Sequence, residues 1–170
     1  VSIKLEDNDP IEVLVGNGTI IRPVSGLAEG KYFILVEYLG NEKFEASSKS
    51  TEIFVSKITQ YKFDIVTNSP NVGENLTINI TLPDDAKGNV TVRINEENYT
   101  ANITNGTVYF EIPNLAYGKY DFTAYYVGDD KYHDSHRTSE AFVTKVYPYQ
   151  FDVTPVDIYV GENETIKIVL

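Results

Sequence analysis

Residues 75–82 read "NLTINITL" and residues 89–95 read "NVTVRIN". In the first stretch Leu76, Ile78, Ile80 and Leu82 alternate with Asn75, Thr77, Asn79 and Thr81; in the second Val90, Val92 and Ile94 hold the apolar positions. A period of two puts the apolar side chains on one face of an extended chain and the polar ones on the other, as in half-buried antiparallel strands. No stretch shows a convincing helical period. Outward from these two strands, turn residues recur every 8–12 positions: "VGEN", "PDDAKGN", "NEEN", "TNGT", "PNLAYG" and "GDD". The pattern predicts strands over 61–66, 75–82, 90–94, 99–104, 107–112, 119–127 and 140–146. Seven such strands are what a two-sheet Greek-key sandwich requires.

The chain also repeats itself. Shifted by 88, residues 17–82 lie on residues 105–170 without a gap, with 27 of the 66 positions identical. The shared blocks are "NGT", "LAxGKY" and "VGENxTIxI", and residues 1–16 match 90–104 with one residue dropped. Within each period, Leu115-x-x-Gly118-x-Tyr120 and Leu27-x-x-Gly30-x-Tyr32 have the spacing of a tyrosine corner, in which the hydroxyl bonds back to upstream backbone. Tyr120, Phe122, Ala124 and Tyr126 then share one face, as do Tyr32, Ile34, Val36 and Tyr38. The fold expected is all-β: tandem immunoglobulin-like β-sandwiches, about seven antiparallel strands per repeat of some 88 residues, in Greek-key order.

The stretches "VGENLTINITLPDDAKGNVTVRINEENYT", "IPNLAYGKYDFTAYYVGDDKYHDS" and "FVTKV" resemble the Ig-like repeats of adhesin-like cell-surface proteins of methanogenic archaea, which are related to bacterial Ig-like domain families. Gly128-Asp129-x-x-Tyr132-x-x-Ser135 matches the G-D-x-x-Y-x-x-S signature of those repeats. The first copy departs from it, with Gly40-Asn41-x-x-Phe44-x-x-Ser47. The resemblance implies a repeat region that holds something distal away from a cell surface. In that family's phasing, residues 1–58 are the later strands of one repeat, 59–147 a complete repeat, and 148–170 the first two strands of a further one. A second phasing matches the ends of the chain, as permuted units 1–82 and 90–170. Only Tyr147 and Pro148 separate the last strand of one repeat from the first of the next, a stiff link rather than a Gly/Ser tether.

N-x-[ST] sequons stand at Asn17, Asn75, Asn79, Asn89, Asn98, Asn102, Asn105 and Asn163, eight of fourteen asparagines. Asn75, Asn79, Asn89 and Asn102 fall on outward strand positions, as a glycan acceptor must, and glycosylation implies export. The first copy is poor in sequons, and its 31–39 strand carries outward Phe33 and Leu35 where the second copy has Asp121 and Thr123. That apolar pair is a candidate lateral interface.

Composition excludes several function classes. The formal charge of −11 opposes a phosphate-binding surface, so nucleic acid is not expected as a partner. The absence of Cys removes disulfides, thiolate-bound metals and thiol nucleophiles. No apolar run approaches the length of a membrane span. Asp129, Asp130, His133, Asp134 and His136 crowd one segment and are the weak candidates for a metal, calcium being the cation acidic loops favour. The first copy keeps no histidine there, so no metal or other cofactor is expected. No nucleophile elbow or zinc-protease motif occurs, so no catalytic residue and no enzyme activity are expected.

Two functions follow as expectations. The first is a structural or adhesive region of an extracellular surface protein, a glycosylated rod or filament of stacked or strand-exchanging units. Its partners are neighbouring repeats or copies of itself, head to tail. The second is a binding module whose loop tyrosines, Tyr117, Tyr132 and Tyr147, contact surface glycans or proteins of another cell.

Overall fold

The computed structural model describes residues 1–6, 9–146, 150–155, 157–161, 163 and 166–169. Among them there are thirteen strands and no helix: β1 (Ser2–Leu5), β2 (Ile11–Glu12), β3 (Gly30–Tyr38), β4 (Ser47–Val55), β5 (Asp64–Thr67), β6 (Leu76–Thr81), β7 (Asn89–Ile94), β8 (Glu97–Asn102), β9 (Thr107–Ile112), β10 (Gly118–Tyr126), β11 (Ser135–Val143), β12 (Asp152–Thr154) and β13 (Lys167–Val169). The linker residues Tyr147 and Pro148, and with them the tyrosine of the binding-module reading, lie outside the described residues.

Strands β5 to β11 build a closed sandwich. One sheet runs β5-β6-β9 and the other β11-β10-β7-β8, all ladders antiparallel. The alternation of residues 75–82 does what its period requires: Leu76, Ile78, Ile80 and Leu82 are all fully buried. They face Val90, Val92 and Ile94 of β7 and Phe122, Ala124 and Tyr126 of β10. The core holds no buried polar or charged residue among those described. Burial of roughly 25 cal/mol per Å² of apolar surface holds this sandwich without a disulfide.

The two turns flanking β8 set its ends. Asn95 and Glu96 both take left-handed backbone angles (φ 49° and 66°), so two residues suffice to reverse the chain, and Glu97 pairs with Ile94. The pattern predicted the strand two residues later, reading "NEEN" as a four-residue turn. Asn105 and Gly106 (φ 48° and 69°) make the next tight turn, closed by the Thr104–Thr107 bridge. The strand predicted over 140–146 begins earlier, at Ser135, and ends at Val143. Its polar start "SHRTSE" reads as loop in sequence, but all nine of its residues pair with β10 at the sheet edge.

The first copy forms half of the same object. Its sheet β2-β1-β3-β4 repeats β8-β7-β10-β11. The nine pairs of the β3–β4 ladder, from Gly30↔Val55 to Tyr38↔Ser47, become those of β10–β11 on adding 88 to every number. Residues 19–24, the counterparts of β9, form no strand, although the Asn17–Gly18 turn before them is made (φ 47° and 76°) and closed by the Gly16–Thr19 bridge. The β5–β6 hairpin does not close this sheet. It pairs with β9 and packs on β7 and β10, so the permuted units 1–82 and 90–170 are not formed: the apolar faces of β6 and β7 meet across the short 83–88 loop.

Candidate functional site

The residues that carry the repeat signature gather at one end of the closed sandwich, in the loop between β10 and β11. Gly128 starts it with φ 79°. A Cβ there would lie 2.8 Å from both the Tyr132 carbonyl oxygen and the Asp134 nitrogen, so the chain closes tightly only on glycine. Asp129 then fills the loop's interior. Its Oδ1 accepts the backbone N–H groups of Lys131 and Tyr132, each at 2.8 Å, and its Oδ2 accepts the N–H of Lys87 at 2.8 Å. Tyr126 Oη donates to the same Oδ2 at 2.9 Å, with the Lys87 carbonyl 3.0 Å away. One carboxylate thereby ties β10, the loop and the distant 83–88 turn together.

The electrostatics follow from that geometry. Burial pulls the Asp129 carboxyl up, but the N–H groups of Tyr132, Lys87 and Lys131 and the Tyr126 hydroxyl outweigh it and hold its pKa at about 2. The Tyr126 hydroxyl is pushed far above the usual phenol value, first by burial and then by its bond to Asp129. Tyr132 is 5% exposed and its Oη donates to Asp85 Oδ1 at 2.7 Å; Lys131 Nζ pairs with the other oxygen of Asp85. The Lys131 and Tyr132 hydrogen bonds lower the Asp85 carboxyl. Tyr61 closes the cluster edge-on to Tyr132 and Tyr126, at 5.2 and 6.1 Å between ring centres.

The same loop grips the link from the preceding copy. Ile58 N–H donates to the Lys131 carbonyl at 2.8 Å, and His133 N–H donates to the Ile58 carbonyl at 3.0 Å. Tyr61 Oη donates to the His133 carbonyl. The segment leading out of the first sheet is therefore hydrogen-bonded into the loop of the next sandwich. The first copy carries the same loop with a neutral amide. Gly40 has φ 83°, and Asn41 Oδ1 accepts from Lys43 N and Phe44 N at 2.9 and 2.8 Å. Phe44 has no hydroxyl and stands 57% exposed.

The other sequence-derived residues are placed as follows. Tyr120 Oη donates to the Ala116 carbonyl at 2.9 Å and Tyr32 Oη to the Ala28 carbonyl at 3.0 Å, each four residues upstream. Asn17, Asn75, Asn79, Asn98, Asn102, Asn105 and Asn163 are exposed, and Asn89 is half-buried. Asn89 and Asn102 are direct partners across β7–β8. Phe33 is half-exposed beside a second ring, Phe54 (71% exposed), and Lys31 Nζ stands 4.7 Å from the centre of the first and 5.8 Å from that of the second. Leu35 is half-buried, so the apolar pair on that face is Phe33 with Phe54, a partner on β4 that a strand-by-strand reading does not find.

The weak metal candidates are dispersed. The Asp129 oxygens are taken by backbone N–H groups and the Tyr126 hydroxyl, and His133 Nδ1 pairs with Asp134. Asp130 is exposed, and His136 lies on β11, stacked on Tyr125 at 5.9 Å rather than in the loop. Among the described residues no group of three or more His, Asp or Glu side chains could hold a metal ion. The arrangement binds backbone to backbone: it is a clasp.

Two facing sheets of three and four strands in this order, with a core of alternating inward residues, define an immunoglobulin-like β-sandwich. Residues 64–146, which span β5 to β11 and the loop between β10 and β11, match the family model of the bacterial Ig-like domain (group 3). No curated protein matches the chain. No helix among the described residues is long and apolar enough to cross a membrane.

Proposed function

We propose that the chain is a structural and adhesive repeat region of an extracellular surface protein, a glycosylated rod whose Ig-like units stack along the chain. The observation that carries this reading is the hydrogen-bonded link: Ile58 exchanges two backbone bonds with the Lys131–His133 loop, so one unit leads into the next without a free tether. The partners proposed are neighbouring repeats or further copies of the same chain. Exposed sequons on both outer faces of the closed sandwich, Asn79 on β6 and Asn98 and Asn102 on β8, support glycans that keep those faces and the β8 edge from pairing with other proteins. The net charge of −11 acts in the same direction. The resemblance to surface repeats and the match to a bacterial Ig-like family support a location outside the cell.

The binding-module reading has less support. The Tyr132 ring is buried and its hydroxyl is engaged, so it offers no face for stacking on a sugar. Tyr117 is exposed, but Lys145 Nζ stands 5.0 Å from the centre of its ring. The reading is tested by the intact mass of the chain purified from its native source. Material heavier than the bare polypeptide by whole glycans, lost on removing the sequon asparagines, is expected. A mass equal to that of the bare chain contradicts an exported, glycosylated rod.

A further inference from the structure

The outer face of the sheet β5-β6-β9 carries the sequon asparagine Asn79, and its two neighbours across the sheet are apolar. Asn79 stands midway along β6, the central strand. Val66 on β5 is its direct partner on one side and Tyr109 on β9 its partner on the other. Side chains directly opposite in a sheet have Cβ atoms about 5 Å apart, so both flank whatever Asn79 carries. Val66 is 65% exposed and Tyr109 53% exposed. The next rows of the same face are polar: Asp64, Thr81 and Thr107 on one side, Thr77 and Glu111 on the other. Tyr109 Oη donates to Glu111 Oε1 at 3.0 Å, which ties the ring to its own strand.

The sequons of β7 and β8 have different partners. Asn98 stands opposite Arg93, and Asn102 opposite Asn89. The repeat supplies a comparison at the same register. Eighty-eight residues on, Lys167 replaces Asn79, and the residue opposite it is Thr154 in place of Val66. The valine accompanies the sequon, and a polar residue replaces it where the sequon is gone.

A pyranose ring has a face of weakly positive C–H bonds, which suits the negative face of an aromatic ring and the methyl groups of a valine. We propose that the glycan on Asn79 is held rather than free: its first sugar packs on the Tyr109 ring on one side and on Val66 on the other. The inference rests on the glycosylated-rod reading above and names the surface that receives the sugar. In the attachment itself, Asn79 Nδ2 bonds to C1 of a phosphate-activated sugar donor. The C1–O bond breaks with its electron pair going to the donor phosphate, and one amide proton goes to solvent. The attached sugar then spans β9, β6 and β5, covers apolar surface that only the folded sheet brings together, and so stabilises the fold.

The test uses the whole chain secreted from a host that N-glycosylates, trimmed by an endoglycosidase to one N-acetylglucosamine per occupied sequon, beside the bare chain from a host that does not. Peptide masses show whether Asn79 carries the sugar. Nuclear Overhauser contacts between the sugar protons and the Tyr109 ring are expected. The trimmed chain should melt about 4 °C above its Asn79→Gln variant, and that difference should vanish when Tyr109→Ala is added and survive Tyr109→Phe, which keeps the ring. In the bare chain Asn79→Gln and Tyr109→Ala should act independently, so the coupling belongs to the sugar. A bare Asn79 on a chain whose other sequons are occupied, a sugar without contacts to the ring, or a melting difference untouched by Tyr109→Ala would each overturn the inference and leave the rod reading standing. Native chain with no sugar at any sequon would overturn both.

Discussion

Asp129→Ala is expected to destabilise the closed sandwich by about 3 kcal/mol and lower its melting temperature by roughly 15 °C. The carboxylate accepts three backbone N–H groups and the Tyr126 hydroxyl, from β10, the loop and the 83–88 turn. Alanine leaves those donors without a partner, and only those near solvent recover one from water. Asn at this position keeps the Oδ1 that caps the loop, as Asn41 does in the first copy, so Asp129→Asn should lose about half as much. Calorimetry on the whole chain reads both; a melting point within a degree of the parent's for Asp129→Ala would dismiss the clasp. The acid side gives an independent reading. Asp129 has a pKa of about 2 in the fold, below its unfolded value near 4. Its contribution is therefore fully present above pH ~4 and is lost as pH falls from about 4 through about 2. Asp129→Asn should lack that part of the acid loss.

Gly128→Ala is expected to cost about 3 kcal/mol, against about 1 kcal/mol for Gly73→Ala. Both glycines have positive φ, 79° and 93°, so both variants carry the strain of placing a Cβ in the left-handed region. They differ in space. Around Gly73 a new Cβ meets nothing within 4 Å, whereas at Gly128 it meets the Tyr132 carbonyl and the Asp134 amide at 2.8 Å. Both are backbone atoms, and the Tyr132 carbonyl also accepts the Asp129 N–H at 2.9 Å, so it cannot move without opening the loop. Thermal melts of the two variants, side by side, measure the difference directly. Equal shifts would mean that the loop yields and that the tight closure is not what the signature glycine secures.

The fold was readable wherever alternation was strict. Ile78 and Ile80 between Thr77 and Asn79 announce a strand and its face, and the 88-residue shift announces that the object recurs. What was not readable has physical reasons. The first residues of β11 are polar because they lie at a sheet edge, where pairing needs no apolar side chain, so Ser135 to Ser139 look like loop. His136, among them, reads with the loop for the same reason. The clasp's outer partners, Asp85 and Lys87, sit more than 40 residues from Tyr132 and Asp129. Nothing local marks them, although the G-D-x-x-Y spacing marked the loop they serve. Phe54 joins Phe33 only through the cross-strand neighbourhood of β3 and β4. Residues 19–24 carry the sequence of a strand and do not form one, because a strand in this fold exists through the neighbour that pairs with it.

We propose a link between successive units that is stiff enough to hold distance. It is tested most directly by X-ray scattering from chains carrying two, four and six of the 88-residue periods. A stacked rod predicts a maximum dimension that grows linearly, by about 30–40 Å for each added unit, the length of a nine-residue strand with its loops. Growth with the square root of the number of units, as freely jointed beads give, would contradict it.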